Sequence, residues 1–181
     1  LAAFLYYIPL NLQGTENLET FNQDPSDEVV IYPILVDTLT PGDTLSATLY
    51  HVFIYEDYHY GYPFYALSQL VLLPVVLAAG QDFAAQTQIN LLLLRQLVSV
   101  LPLLLAGLVV VYLATRFRSA WKAAGLYLLI LTAPGIYSYN IRFWHPDGLN
   151  TLFITLVIFF LVRDRLRFGH NFYLAAVFCG L

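Results

Sequence analysis

Methionine is absent from this sequence, and cysteine occurs once, as Cys179, among 181 residues. A single thiol can form neither a disulfide within the chain nor a thiolate metal site, so the sequence excludes both. Charged side chains are also scarce, at 11% of the residues, whereas apolar side chains make up 59%. With a mean hydropathy of +0.68, this composition lies well outside that of soluble domains and predicts an integral membrane protein.

Both ends of the sequence fall inside apolar runs, with Leu1 opening one and residues 172–181 belonging to another. We therefore expect the sequence to be an internal part of a longer protein. A cleavable signal peptide is not expected, because the start has neither a basic region nor a small-residue cleavage site.

Lysine and arginine are missing before Arg95, whereas ten of the twelve acidic residues lie between Glu16 and Asp82. A region without basic residues cannot neutralise many phosphates, so nucleic acid is not expected as a partner. Two basic clusters follow apolar segments: Arg116, Arg118 and Lys122, and then Arg163, Arg165 and Arg167. The positive-inside rule predicts that both clusters are cytoplasmic and that the acidic first third lies outside.

The apolar stretches predict an all-α, polytopic helix bundle that crosses a membrane several times. We expect this membrane to be a bacterial or archaeal cell membrane. We expect the outer part of a first transmembrane helix at 1–10 and a long extracytoplasmic loop at 11–62 with short surface helices. Within that loop, 29–39 is amphipathic, contains Pro33 and is too short to span a bilayer. Further membrane helices are predicted, in chain order, at 63–79, 89–115, 123–139, 149–162 and 171–181.

The segment 63–79 conflicts with a simple reading of this topology. If both basic clusters are inside, the tip at 140–148 and the Arg95 end of the helix at 89–115 are outside. The acidic loop is outside as well, so 63–79 cannot be a single crossing between two outer regions. Either this segment is embedded from one side or one of the orientations differs.

Adjacent carboxylates, Asp27 and Glu28, precede the amphipathic stretch and have two explanations. Helix capping is the first, since Asp24 suits an N-cap, Pro25 the first helical position and Asp27 the acidic position of a capping box. The second is catalysis, because a carboxylate at a membrane surface can accept a proton from a hydroxyl. The two explanations are compatible.

Other polar residues on the predicted outer face are candidates for chemistry. An arginine at the membrane edge, such as Arg95, costs about 2.5–3.5 kcal/mol unless it is paired, and a phosphate is one natural partner. Asp147 is a candidate for the site or for the start of a helix near Leu149. His59 and Tyr60 belong to an aromatic run of the type that favours the headgroup level.

Four motifs occur in a recognisable order. They are Asp27-Glu28 with Tyr32 four residues on, His59-Tyr-Gly-Tyr-Pro, Leu94-Arg95-Gln-Leu-Val-Ser opening a long helix, and Arg142-Phe-Trp-His-Pro-Asp147. In this order they resemble the amino-terminal part of a GT-C fold glycosyltransferase, closest to the family 39-like protein mannosyltransferases and aminoarabinose transferases. Tyr60-Gly-Tyr-Pro63 stands where many relatives carry a His-Pro-Pro turn.

The resemblance implies that a sugar passes, with inversion, from a polyprenyl-phosphate donor in the membrane lipid to a hydroxyl acceptor on the extracytoplasmic face. The acceptor would be a protein, a lipid or a glycan. The resemblance implies the catalytic pair Asp27 and Glu28, Arg95 near the donor phosphate, and Asp147 at the border of the site. We also expect Arg142 and His145 to bind the donor phosphate, and His59 and Tyr60 to line the site. No cofactor is required, although Asp27 and Asp147 could instead hold a divalent cation.

A function of a different class fits the same residues. A transporter, or a non-catalytic membrane subunit, could use the acids for ion binding or for assembly. A transporter should place its ionisable residues near the middle of the membrane, between inverted repeats. We find no such repeat in the sequence.

Overall fold

The computed structural model describes residues 1–23, 26–54, 60–136, 141–165 and 167–181. The predicted capping residues Asp24 and Pro25, the candidate His59 and the end of the segment predicted at 123–139 lie outside these ranges. Within them the regular structure is helical, with no strand. The α-helices are α1 (Ala2–Tyr6), α2 (Ile8–Asn11), α3 (Leu18–Phe21), α4 (Glu28–Leu39), α5 (Leu45–Phe53), α6 (Tyr62–Ala79), α7 (Thr87–Leu94), α8 (Leu101–Thr115), α9 (Ala120–Leu131), α10 (Asp147–Asp164) and α11 (His170–Gly180).

The longest helix runs through α7 and α8 without a break, from Thr87 to Thr115. Its 29 residues span about 43 Å, which exceeds the roughly 30 Å of a bilayer core. The middle of this helix, Arg95–Val100, is a wider π-helical segment. Pro102 lies two residues after this segment. A proline both removes a backbone donor and crowds the preceding turn, so a local widening at this point has a physical cause.

By length and composition, two helices could cross a membrane, namely Tyr62–Ala79 and Thr87–Thr115. These are the only two in the part of the chain that the structure describes, and α9 is a shorter apolar helix.

Helices α8, α9 and α10 pack side by side with alternating directions. The Tyr127 hydroxyl donates to the Leu104 carbonyl at 3.2 Å, which brings the second half of α9 beside the first half of α8. In α10, Phe159 contacts Tyr112 near the end of α8, with ring centroids 5.9 Å apart. Helices α8 and α10 are therefore parallel, and α9 runs back between their ends.

This packing places the charged turns of the bundle. The cluster at Arg116, Arg118 and Lys122 follows the end of α8, and the cluster at Arg163, Arg165 and Arg167 lies at the end of α10. Because α8 and α10 are parallel, both basic clusters lie at one end of the bundle. Asp147, the first residue of α10, lies at the other.

Helix α6 packs against the first part of the long helix and against α4. Phe64, near its start, stacks on Trp144 with ring centroids 5.0 Å apart, and a 3-10 helix, Gly80–Ala85, turns its other end into α7. Helix α6 therefore forms an antiparallel hairpin with α7 and the π segment and does not run along α8 toward the basic turns. Whether the segment 63–79 crosses the membrane or is embedded from one side stays a prediction.

Helix α4 lies where the sequence predicts an amphipathic surface stretch. It buries Glu28, Ile31, Tyr32, Leu35 and Thr38, which recur on one face of a helix. The Asn90 amide of α7 donates to the Tyr32 hydroxyl at 2.9 Å. Burial raises the pKa of the Tyr32 phenol, and the hydrogen bonds with Asn90 and Thr87 oppose that rise. Tyr32 therefore remains a neutral anchor between α4 and the long helix.

Candidate functional site

A buried ion pair joins the start of α4 to the π segment. Arg95 Nε donates to Glu28 Oε1 at 2.9 Å and Nη2 donates to Oε2 at 2.5 Å, the bidentate geometry that suits guanidinium and carboxylate. Both side chains are almost fully enclosed, at 3% and 1% exposure. The arginine Nη1 also donates to the carbonyl oxygens of Asn11 and Gln13, at 3.1 and 3.2 Å.

These contacts give Arg95 partners that the sequence analysis does not predict. Its N–H groups are directed at Glu28 and at two backbone carbonyls, so a lipid phosphate would have to displace one of them. Glu28 is likewise enclosed and does not face solvent. The two residues join α4 to the π segment. Their roles as phosphate ligand and catalytic acid stay predictions.

The Glu28 carboxylate also contacts the loop before α10. Glu28 Oε1 accepts a hydrogen bond from the backbone N–H of Trp144. The Trp144 indole is fully buried and donates to Ser68 Oγ of α6 at 3.0 Å. One enclosed network therefore fixes the start of α4, the loop before α10 and the first turns of α6.

Asp27 has a different environment from its neighbour. It precedes α4, but its side chain caps no backbone N–H, so capping does not account for this acid. Its carboxylate is 66% exposed and lies 3.6 Å from His145 Nε2. The other ring nitrogen, Nδ1, lies 3.2 Å from a carboxylate oxygen of Asp147, which is 56% exposed. His145 therefore stands between the carboxylate that precedes α4 and the carboxylate that begins α10.

Two more predicted site residues adjoin this cluster. The Tyr60 ring meets the His145 ring edge to face, with centroids 5.7 Å apart. Arg142 is exposed on the loop that carries His145, and it forms no ion pair with any residue that the structure describes. Asp27, Tyr60, His145 and Asp147 thus lie together, whereas His59 is outside the described ranges.

The π segment holds the His145 loop from the other side. Ser99 Oγ accepts from the His145 backbone N–H at 3.2 Å and donates to the His145 carbonyl at 3.4 Å. Gly148 lies so close to this segment that a Cβ atom would come within 2.7 Å of the Ser99 carbonyl oxygen. The segment therefore contacts α4 through Arg95 and the start of α10 through Ser99.

Replacing Gly148 with alanine should separate α10 from the π segment, because the new methyl group meets rigid backbone. We expect a loss of about 1–3 kcal/mol in the free energy of unfolding, the usual cost of overpacking. Thermal unfolding of the purified protein in detergent measures it. Gly125→Ala in α9 is the matched control, since a Cβ there meets nothing within 4 Å and should be neutral or stabilising. Equal stability of the two variants would contradict the close contact.

The divalent cation remains a prediction of the sequence analysis. Within the described ranges, no group of three His, Cys, Asp or Glu side chains has an arrangement that could hold a metal ion. The contacts of His145 with Asp27 and Asp147 use both of its ring nitrogens, so the imidazole orients the carboxylates in this structure.

Several residues of the site escaped the sequence analysis. The sequence did not predict Ser68, Ser99 or Gly148 as site residues, and Trp144 was named only as part of a motif. The signals were weak but present, since Ser99 and Ser68 are polar residues within apolar helices and Gly148 interrupts the start of one. Their partners are far away in the sequence, so only the fold identifies what each contacts.

Neither a protein-family model, nor a curated protein, nor a solved structure matches the chain.

Proposed function

We propose that this protein is a multi-pass membrane glycosyltransferase that moves a sugar from a polyprenyl-phosphate donor to a hydroxyl acceptor on the extracytoplasmic face. The observation that carries the proposal is the approach of two exposed carboxylates, Asp27 and Asp147, to one imidazole. The order of the motifs around these residues, which resembles GT-C enzymes, supplies the class of donor.

Asp27 is the base in this proposal. As the acceptor oxygen bonds to the anomeric carbon, the hydroxyl proton moves to the Asp27 carboxylate, and the bond from that carbon to the phosphate oxygen breaks with its electron pair. The product is a glycoside of inverted configuration together with polyprenyl phosphate. The exposure of Asp27 supports this role, because an acceptor needs to come within about 3 Å of the carboxylate oxygen.

The leaving phosphate needs a cation, and two arginines differ in their availability. Arg95 is committed to Glu28 and two carbonyls, whereas Arg142 is exposed and near His145 in sequence. We therefore assign phosphate stabilisation to Arg142, since a cation aimed at developing negative charge lowers the barrier, and we assign His145 to orienting the two carboxylates. Arg95 is assigned to positioning, because it holds Glu28, whose neighbour is the base.

The alternative function, a transporter or a non-catalytic subunit, predicts a different location for the same residues. A transporter needs its ionisable residues near the middle of the membrane, along a path between two repeats. Asp27 and Asp147 instead lie where α4 and α10 begin, more than half exposed. This position favours the enzyme.

The test is transfer of a labelled sugar from synthetic polyprenyl-phosphate sugars by membranes that contain the whole protein. Wild type should release polyprenyl phosphate and form a labelled glycoside. The double variant Asp27→Asn/Asp147→Asn should do neither while reaching the membrane in equal amount. A transfer rate within a few-fold of wild type in the double variant, or no transfer by wild type with any donor of this class, would refute the proposal.

A further inference from the structure

The turn between α8 and α9 is a concentrated patch of positive charge. It carries Arg116 and Arg118, and Lys122 follows in the first turn of α9. In the part of the chain that the structure describes, none of the three pairs with an acid. Arg116 packs over the Tyr112 ring, 5.1 Å from its centroid. The charges of Arg118 and Lys122 are left without a protein partner in those ranges.

The backbone shapes this turn into a concave surface. Arg116 and Phe117 both have left-handed conformations, with φ of 51° and 53°, which cost most residues roughly 1 kcal/mol or more each. Thr115 Oγ1 accepts from the Phe117 N–H at 3.1 Å and holds the turn. The result is an open concavity of about 540 Å³ that is lined by the three cations together with Ala114, Thr115 and Ser119.

Two exposed aromatic side chains are sequence neighbours of residues that line the concavity. Trp121 is 89% exposed and Phe117 is 53% exposed, which is unusual for side chains of this size. Tryptophan is enriched where membrane headgroups meet hydrocarbon. Exposed aromatic rings beside unpaired cations are therefore typical of a surface at the headgroup level.

The depth of the turn along the bundle agrees with a headgroup location. Ser99 in the π segment contacts the His145 loop. The long helix rises about 24 Å from Ser99 to Thr115, the last residue of α8. This distance approaches the thickness of a bilayer core. If Asp27 and His145 lie at one membrane surface, the basic turn lies near the other.

We propose that this turn binds the phosphate of an anionic phospholipid in the leaflet opposite to the Asp27 site. The guanidinium of Arg118 and the ammonium of Lys122 contact the headgroup phosphate, and Trp121 lies against the adjoining glycerol and upper acyl chain. Basic pockets between membrane helices bind anionic headgroups in this manner. The proposal depends on a membrane location and not on the glycosyltransfer reaction, so either can fail alone.

The second basic cluster provides a matched control at the same end of the bundle. Asp164 lies between Arg163 and Arg165 in the sequence, and its carboxylate accepts from the Gly169 N–H at 2.8 Å. The concavity beside Arg165 is lined otherwise by Ile158, Leu161 and Val162, which are apolar. This cluster has equal formal positive charge, but only one of its cations, Arg165, lines the concavity beside it.

The experiment measures which lipids the purified protein retains from nanodiscs with equal amounts of phosphatidylglycerol and phosphatidylcholine. Native mass spectrometry counts the lipids that stay bound. Wild type should retain phosphatidylglycerol preferentially. Arg118→Gln and Lys122→Gln should each reduce that preference about fivefold, and the double variant should abolish it.

Two controls separate this site from general attraction and from free phosphate. Arg163→Gln/Arg167→Gln removes the same number of charges and should leave the preference unchanged. Excess inorganic phosphate should not displace the bound lipid, because the aromatic contacts need an acyl chain. Equal loss in the two double variants, displacement by phosphate, or no preference in wild type would overturn the proposal.

Discussion

Changing Asp27 to asparagine should reduce sugar transfer about 10²- to 10⁴-fold, the usual contribution of a positioned general base. Asparagine keeps the shape of the side chain and loses the ability to take the acceptor proton. Because the carboxylate is exposed and caps no backbone group, the protein should fold and insert as before. The rate of labelled glycoside formation at equal protein level measures the effect.

Asp43→Asn is the control for this change, since Asp43 is exposed on the loop after α4 and contacts none of the residues around His145. It should retain the wild-type rate. A rate for Asp27→Asn that is within a few-fold of wild type would remove the catalytic assignment, whatever the state of the rest of the site.

Changing the next residue, Glu28, to glutamine should mainly reduce the stability of the protein, whereas Asp27→Asn should mainly reduce the transfer rate. The substitution leaves the Arg95 guanidinium enclosed without a counter-charge, and breaking a buried pair in this way costs about 3–5 kcal/mol. For a chain of this size, the midpoint of thermal unfolding in detergent should fall on the order of 10 °C. The fall should be far larger than that of Asp27→Asn, the same chemical change at an exposed neighbour.

A double-mutant cycle tests whether the cost comes from the pair. Arg95→Met alone leaves Glu28 without its partner and should also destabilise, whereas Glu28→Gln/Arg95→Met removes both charges and should cost less than the sum of the single changes. Additive costs would mean that the two side chains act independently, against the bidentate contact.

The two neighbouring acids illustrate what the sequence could and could not predict. Their position before an amphipathic stretch identifies a helix start, and helix α4 begins there. Which acid faces solvent depends on the approach of Arg95, which lies 67 residues from Glu28 in the sequence. An enclosed arginine requires a partner, but ten acids precede it and nothing local selects among them. A phosphate was the natural hypothesis, and the fold supplies Glu28.

Helix α6 illustrates a second limit of prediction from sequence. Its 18 residues are apolar enough to cross a membrane, and composition alone cannot distinguish a crossing from a hairpin that returns. What the fold adds is the position of its first turn, since the contacts of Trp144 with Phe64 and Ser68 hold the start of α6 beside the site. By contrast, the long helix and α10 were predictable within two residues at each end, because long apolar runs between charged turns leave few alternatives.

The π segment has a consequence for changes of chain length. A π turn already accommodates one residue more than an α turn, so a further inserted residue would rotate everything beyond it by about 100°. Arg95 and Ser99 could then no longer face Glu28 and the His145 loop together. An inserted residue should therefore be tolerated in the loop around Asp43 but not between Arg95 and Val100, although both stretches are short and neither carries the base. In any alignment of related chains, an insertion inside this segment would indicate that the two halves of the site no longer meet.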